Sequence, residues 1–189
     1  REIALNPYYI DTTPVTNCKF NNFVNATGYR TEADDFGWSF VFHAHIPKKI
    51  TGEPVPGVPW WRKVDRANWR RPEGPGSNVK KRMENPVVHV SVRDARAYCE
   101  WVGKRLPTEA EWEAAGRGGL VQKRYAWGDE LTPDGKHQCN IWQGDFPSKD
   151  SADDGYAGTS PVQAFPANGF GIYSVAGNVW EWCHDYWSP

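Results

Sequence analysis

Short bursts of apolar residues, separated by long polar stretches rich in proline and glycine, organise this chain. The first burst is Phe20, Phe23 and Val24. It follows Thr16 and closes at Gly28, which predicts a helix capped by threonine and stopped by glycine. Ahead of it, Tyr8-Tyr9-Ile10 predicts a short strand. Residues 36–42, Phe-Gly-Trp-Ser-Phe-Val-Phe, are aromatic and predict another. Pro47, Pro54, Pro56, Pro59, Pro72, Pro75 and Pro86 then break any helix or central strand. Residues 43–86 are therefore expected as a long irregular stretch, pinned to the core by Trp60, Trp61 and Trp69.

Val87-Val88-His89-Val90 predicts a strand. Ser91 then caps a helix with Asp94 near its positive end and an apolar stripe of Ala95, Tyr98, Cys99 and Val102, stopped by Gly103. A second helix opens at Thr108, whose spacing to Glu111 is that of a capping box, and ends at Gly116, Gly118 and Gly119. Beyond it the chain reads as turns and short apolar pieces, with no internal repeat. The class is α+β, with two or three helices and short strands joined by loops.

Composition narrows this picture. The chain has 189 residues, enough for one domain or slightly more. Eleven tryptophans argue for an ordered interior, and 18 glycines with 15 prolines for frequent turns. Lys plus Arg is 22 and Asp plus Glu is 23, a formal net charge of −1, so nothing points to a nucleic-acid partner. No apolar run reaches the roughly 18 residues of a membrane span. The opening residues carry neither a start methionine nor a leader pattern, which reads as a processed or trimmed chain. Cys18, Cys99, Cys139 and Cys183 form no C-x-x-C pair; four cysteines allow three pairings. Cys99, in its apolar stripe, is a buried thiol or half of a bridge. Asn25-Ala-Thr27 is a glycosylation sequon.

Residues 140–156 are dense in oxygen donors: Asn140, Gln143, Asp145, Asp150, Asp153 and Asp154, with Gly144 and Gly155. Hard cations such as calcium take such donors, although the spacing is not that of an EF-hand. On the residues alone a solvated turn is the stronger reading, since charge runs are usually exposed. Residues 171–181 form a second oxygen-rich turn. There Glu181 lies between Trp180 and Trp182, so it either faces outward or, if buried, needs a partner or a metal. The five histidines share no metal-binding spacing, and neither a nucleophile elbow nor a phosphate-binding loop is present. His43 and His45, two apart, have the spacing of a shared strand face, but no third ligand accompanies them, and each reads as an ordinary loop or surface histidine. Gly116-Arg-Gly-Gly119 is a better helix stop than anion site.

Several longer words recur in order along the chain: Gly103-Lys-Arg-Leu-Pro-Thr-Glu-Ala-Glu-Trp-Glu113, Asn140-Ile-Trp-Gln-Gly144, Asn168-Gly-Phe-Gly-Ile-Tyr173 and Gly177-Asn-Val-Trp-Glu-Trp182. Together with Tyr29-Arg-Thr-Glu-Ala33, Pro59-Trp-Trp61 and Asn68-Trp-Arg70, they resemble the formylglycine-generating enzyme family, also called sulfatase-modifying factors. The resemblance spans nearly the whole chain. It implies a single loop-rich domain over 1–189, incomplete at both ends, with an α+β fold related to C-type lectin-like folds. It implies an oxidase that converts a cysteine in a Cys-X-Pro-X-Arg segment of an unfolded or nascent sulfatase to Cα-formylglycine, with molecular oxygen as oxidant. Copper held by two cysteine thiolates activates the oxygen, a soft-ligand site suited to Cu(I).

The same resemblance implies structural calcium on Asn140, the Ile141 carbonyl, Asp154 and the Tyr156 carbonyl. A second set falls on Ser174, Gly177, Val179 and Glu181. Trp180 matches a tryptophan beside the substrate groove, and Asn25 a glycosylated position of secretory members. The family's catalytic cysteine pair falls beyond Pro189, and Cys183 is neither member of it. Pro14 stands where many members have glutamate, as it does in the non-catalytic paralogue. The alternative is therefore a calcium-stabilised paralogue that binds sulfatase-like peptides without oxidising them. The compartment implied is the endoplasmic reticulum lumen or the exterior for a eukaryotic member, and the cytoplasm for a bacterial one.

Overall fold

The computed structural model describes residues 3–186. Four α-helices and three short strands carry the regular structure: α1 (Asn17–Thr27), α2 (Glu32–Phe36), β1 (Trp38–Phe42), β2 (Glu53–Val55), β3 (Val58–Asp65), α3 (Val92–Trp101) and α4 (Glu109–Arg117). Past α4 the chain is turns and irregular segments, with one 3₁₀ turn at Pro133–Gly135. The mixed, loop-rich class expected from the sequence is observed.

Helix starts follow local chemistry closely. The Thr16 hydroxyl accepts from Lys19 N, and Gly28 closes α1 in the left-handed region at φ 69°. Ser91 with Asp94, and Thr108 with Glu111, form reciprocal capping boxes at α3 and α4. Gly118 ends α4 in the left-handed conformation, so the glycine cluster there is a helix stop. Helix α2 was not foreseen. Its signal is the same box, Thr31 with Asp34, hidden by its five-residue length.

The strand expectations need correction. Phe36 belongs to the end of α2; Gly37, at φ 75°, turns the chain before β1 begins at Trp38. Tyr8–Ile10 is not a strand, because among the described residues nothing pairs with it, and Tyr9 is fully exposed. Val87–Val90 is not a strand either. It makes one strand-like bond, Val87 N to Val15 O, and then His89 flips to φ 58°. That flip seats the His89 ring between two partners: Nε2 lies 2.8 Å from Pro72 O and Nδ1 2.8 Å from Ser39 Oγ. A carbonyl only accepts, so Nε2 carries the proton and the serine hydroxyl donates to Nδ1. Burial pushes the imidazole below its ordinary value, which keeps it neutral.

Residues 43–86 are less irregular than expected. They contain the hairpin β2–β3, turned at Pro56-Gly57, inside an antiparallel sheet of order β1-β3-β2. The prolines fit because Pro54 lies on edge strand β2 and Pro59 falls where the β2–β3 register slips, ahead of the pairing with β1. His43 and His45 occupy a 3₁₀ turn, in keeping with ordinary loop histidines.

Two cores result. Phe20, Phe23, Trp69 and Tyr98 join α1, α3 and the loop after β3, with Phe20 edge-on to Trp69 at 5.2 Å. Val41, Val64 and Ala67 form a smaller one under the sheet, with Ile46 and Ile50 against it. The first is braced by Asp94, fully buried, whose carboxylate accepts from Tyr29 OH (3.0 Å), Glu32 N (3.1 Å) and Ser91 N (2.8 Å). Burial, and then the bond to Asp94, push the Tyr29 phenol up to about 12. All four cysteines are free; Cys99 is half-buried.

At α4, the Glu111 carboxylate takes both Arg105 amino groups at 2.7 Å and Thr108 N at 2.8 Å. These bonds, that of Arg105 foremost, hold its carboxyl down at about 2 against an ordinary 4.5. The lowered value means that the folded state favours the carboxylate. Its stabilisation is complete above the ordinary value and is lost as pH falls towards 2. Acid titration of thermal unfolding should therefore lose stability through that window, and Glu111→Gln should flatten that limb while lowering the midpoint at neutral pH.

Candidate functional site

The oxygen-rich loop of residues 140–158 is built around one carboxylate. Asp154 Oδ2 accepts from Ile141 N and Gln143 Nε2, both at 2.9 Å, and Oδ1 accepts from Tyr156 N at 2.9 Å. Asp150 plays a smaller version of the role, taking Gln143 N and Ala152 N. Asp154 is therefore not part of a solvated turn; it organises the loop. Gln143 Nε2 donates at once to Asp154 Oδ2 and to the Ile141 carbonyl. Two of the four expected calcium donors thus converge on one point, held by the positive end of an amide. Asn140 turns elsewhere, donating to Gly158 O (2.6 Å) and Asn178 Oδ1 (3.2 Å).

This loop is locked to the 174–178 turn. Asn178 N donates to Asn140 O at 2.7 Å, and Asn178 Oδ1 accepts from Ser160 N at 2.9 Å. Asn178, at φ 61°, was not singled out in the sequence; asparagine's tolerance of left-handed backbone, directly after Gly177, was the available signal. The residues of the second expected calcium set carry hydrogen bonds of their own. The Ser174 hydroxyl donates to Val162 O, the Gly177 carbonyl accepts from Val179 N, and Glu181 Oε2 accepts from Trp112 Nε1 at 3.3 Å. Among the described residues, no three of His, Cys, Asp and Glu cluster as a metal site. The Asp154 set depends instead on one carboxylate, amides and carbonyls, a hard-oxygen set.

Glu181, Trp180 and Trp182 stand along a groove of about 640 Å³, whose other walls are residues 7–15, α3 and the start of α4. Glu181 is exposed as a residue, yet its carboxyl faces the groove, and desolvation pushes it up to about 7 against the pull of Trp112. Trp180 is 97% exposed. Asn25 is exposed on α1, and the Thr27 hydroxyl of its sequon donates to Phe23 O.

The sulfatase-modifying factor enzyme 1-like domain matches residues 1–189. The chain belongs to this sulfatase-modifying factor family. Among its relatives are formylglycine-generating enzymes of Thermomonospora curvata, 59% identical over 190 residues, and of Bos taurus, 51% identical over 191. An inactive Cα-formylglycine-generating enzyme 2 of Bos taurus is also 51% identical, over 186 residues. The chain spans 63% of the first of these relatives and 51% of the second. The solved structure of PvdO from Pseudomonas aeruginosa shares the fold at TM-score 0.56 and 26% identity, over 94% of this chain and 56% of that one.

Change is poorly tolerated at Gly177, where the two oxygen-rich loops meet. A Cβ there would overlap the Asn140 carbonyl oxygen, and its φ of +68° disfavours any larger residue. Gly177→Ala should force the loops apart at a cost of about 2 kcal/mol or more, measured by urea unfolding.

Proposed function

We propose that the whole protein is a formylglycine-generating oxidase. The observation that carries this reading is the similarity to the Thermomonospora curvata enzyme, 59% identical over 190 residues and covering all of this chain. The substrate is a cysteine in a Cys-X-Pro-X-Arg segment of an unfolded or nascent sulfatase. Its thiol-bearing carbon is oxidised to the aldehyde: molecular oxygen takes four electrons, two from that carbon and two from a thiol reductant that becomes a disulfide, while the C–S bond breaks, the sulfur leaves as sulfide and the second oxygen atom leaves as water. The almost fully exposed Trp180 indole on the groove rim suits stacking against an extended peptide.

Copper, when bound by a cysteine pair, activates the oxygen. Three of this chain's cysteines do not fit that role. Burial is the main influence on Cys99, Cys139 and Cys183, and it pushes all three thiols up, against the thiolate that a soft metal needs. The reading therefore puts the pair in polypeptide beyond Pro189, and no step is assigned to these residues. For calcium, the donors that meet are Ile141 O and Asp154, and a cation there would take the place of the Gln143 amide; Asn140 and the Tyr156 carbonyl join the set only by the family resemblance. In a secretory host the reading adds a glycan at Asn25 and an endoplasmic reticulum address; in a bacterial host, the cytoplasm.

A second reading has its own support. Pro14, on the groove wall, and the 51% identity to an inactive relative favour a paralogue that binds the peptide without oxidising it.

Full-length protein given Cu(I), oxygen, a thiol reductant and a Cys-X-Pro-X-Arg peptide should yield the aldehyde, read as a mass change at the cysteine. Trp180→Ala should raise KM about tenfold with a smaller effect on kcat. Peptide binding without conversion, under verified copper loading, would select the second reading. Separately, calcium should raise Tm in the wild type, and Asp154→Asn should abolish that rise.

A further inference from the structure

Residues 87–90 are tied down at three points. Val87 N donates to Val15 O at 2.9 Å, the His89 ring is bonded at both nitrogens, and Val90 O accepts from Trp182 Nε1 at 3.0 Å. The first and last ties belong to the groove, since Val15, Val87, Val90 and Trp182 all line it. His89 stands between them at φ 58°, in the left-handed region. A residue with a Cβ rarely adopts that conformation, and it persists only where the surroundings impose it.

The imidazole imposes it here. Nε2 donates to Pro72 O and the Ser39 hydroxyl donates to Nδ1, both at 2.8 Å. Both partners are fixed: Pro72 is buried, and Ser39 pairs in the sheet opposite Val64, which has no exposure. A glycine would allow the same turn without strain, but it could not fasten the turn to β1. Trp182 has no comparable frame. Its side chain is 50% exposed, and its single polar atom, Nε1, is bonded to Val90 O. The direction of that carbonyl therefore sets where the indole stands on the rim. An extended residue 89, which the strand-like composition of residues 87–90 favours, would turn the following peptide planes and take the carbonyl off that line.

We propose that His89 is a positioning residue for peptide binding: its two ring bonds hold the left-handed turn that presents the Val90 carbonyl to Trp182 and so sets the tryptophan rim of the groove. The inference rests on the groove as the peptide site, which the oxidase and the non-oxidising readings share. It does not depend on the redox step. His89 touches no substrate in this role; it acts through Val90 and Trp182.

The test uses full-length protein with ¹⁵N-labelled tryptophan, the Trp182 indole signal being assigned by its loss in Trp182→Phe. Two quantities are read: hydrogen exchange of that indole N–H, and the affinity for a fluorescent Cys-X-Pro-X-Arg peptide without oxygen. His89→Ala should speed the exchange and weaken the peptide about fivefold each, the worth of one hydrogen bond. His89→Gln, whose amide both donates and accepts, should restore both. The Trp127 indole, bonded to Glu130 O, should not change and reports a general loss of fold. Should His89→Ala fail to fold, Ser39→Ala removes one ring partner and should shift Trp182 in the same direction. An unchanged Trp182 signal in a folded variant, or unchanged affinity, would overturn the role of His89. Wild-type protein that binds no peptide would overturn the groove reading itself, and this role with it.

Discussion

A chain with so little regular structure must satisfy its buried backbone with side chains, and Asp94 is where that demand is greatest. Its carboxylate has no exposure and meets three donors from three places: the end of the α1 turn, the first residue of α2 and the cap of α3. A buried charge is tolerable only when its oxygens are occupied in this way. Without them, the first turns of two helices would lose their anchor and the Phe20–Trp69 core would lose its frame. The same logic recurs at Asp154, which holds three donors in a loop with no ladder of its own.

What was legible in the sequence follows from how local each signal is. The starts of α1, α3 and α4 are set within four residues by caps, and they were read correctly from Thr16, Ser91 and Thr108. Strands depend on distant partners: β1 is legible in the aromatic run at residues 36–42, apart from that run's first two residues, and the others are not. Tyr8–Ile10 and Val87–Val90 have strand composition but no ladder, while β2–β3 hides among prolines that an edge strand tolerates. At the site, Asp154 was named from its oxygen-rich surroundings. The donors that fix it, Ile141 N and the Gln143 amide, were visible only in three dimensions. The carboxyl of Glu181 proved to face the groove and Trp112, a meeting 69 residues apart that no spacing rule anticipates.

The arrangement separates two tasks. The interlocked loops at 140–160 and 174–178 are held by amides and carboxylates of fixed geometry and form a rigid support. The groove beside them is apolar, edged by Trp180 and Trp182, and open along one side. Rigid polar loops that position an aromatic rim are a sound basis for gripping an extended peptide, because the support gives up little freedom on binding. Family membership gives that geometry its meaning.

Amide hydrogen exchange on the full-length protein tests most directly whether side chains hold this fold together. Slow exchange is expected at Glu32, Ser91, Ile141, Tyr156 and Ser160, whose amides donate to side-chain oxygens rather than to a helix or sheet ladder. Exchange at these amides as fast as in exposed loops would contradict it.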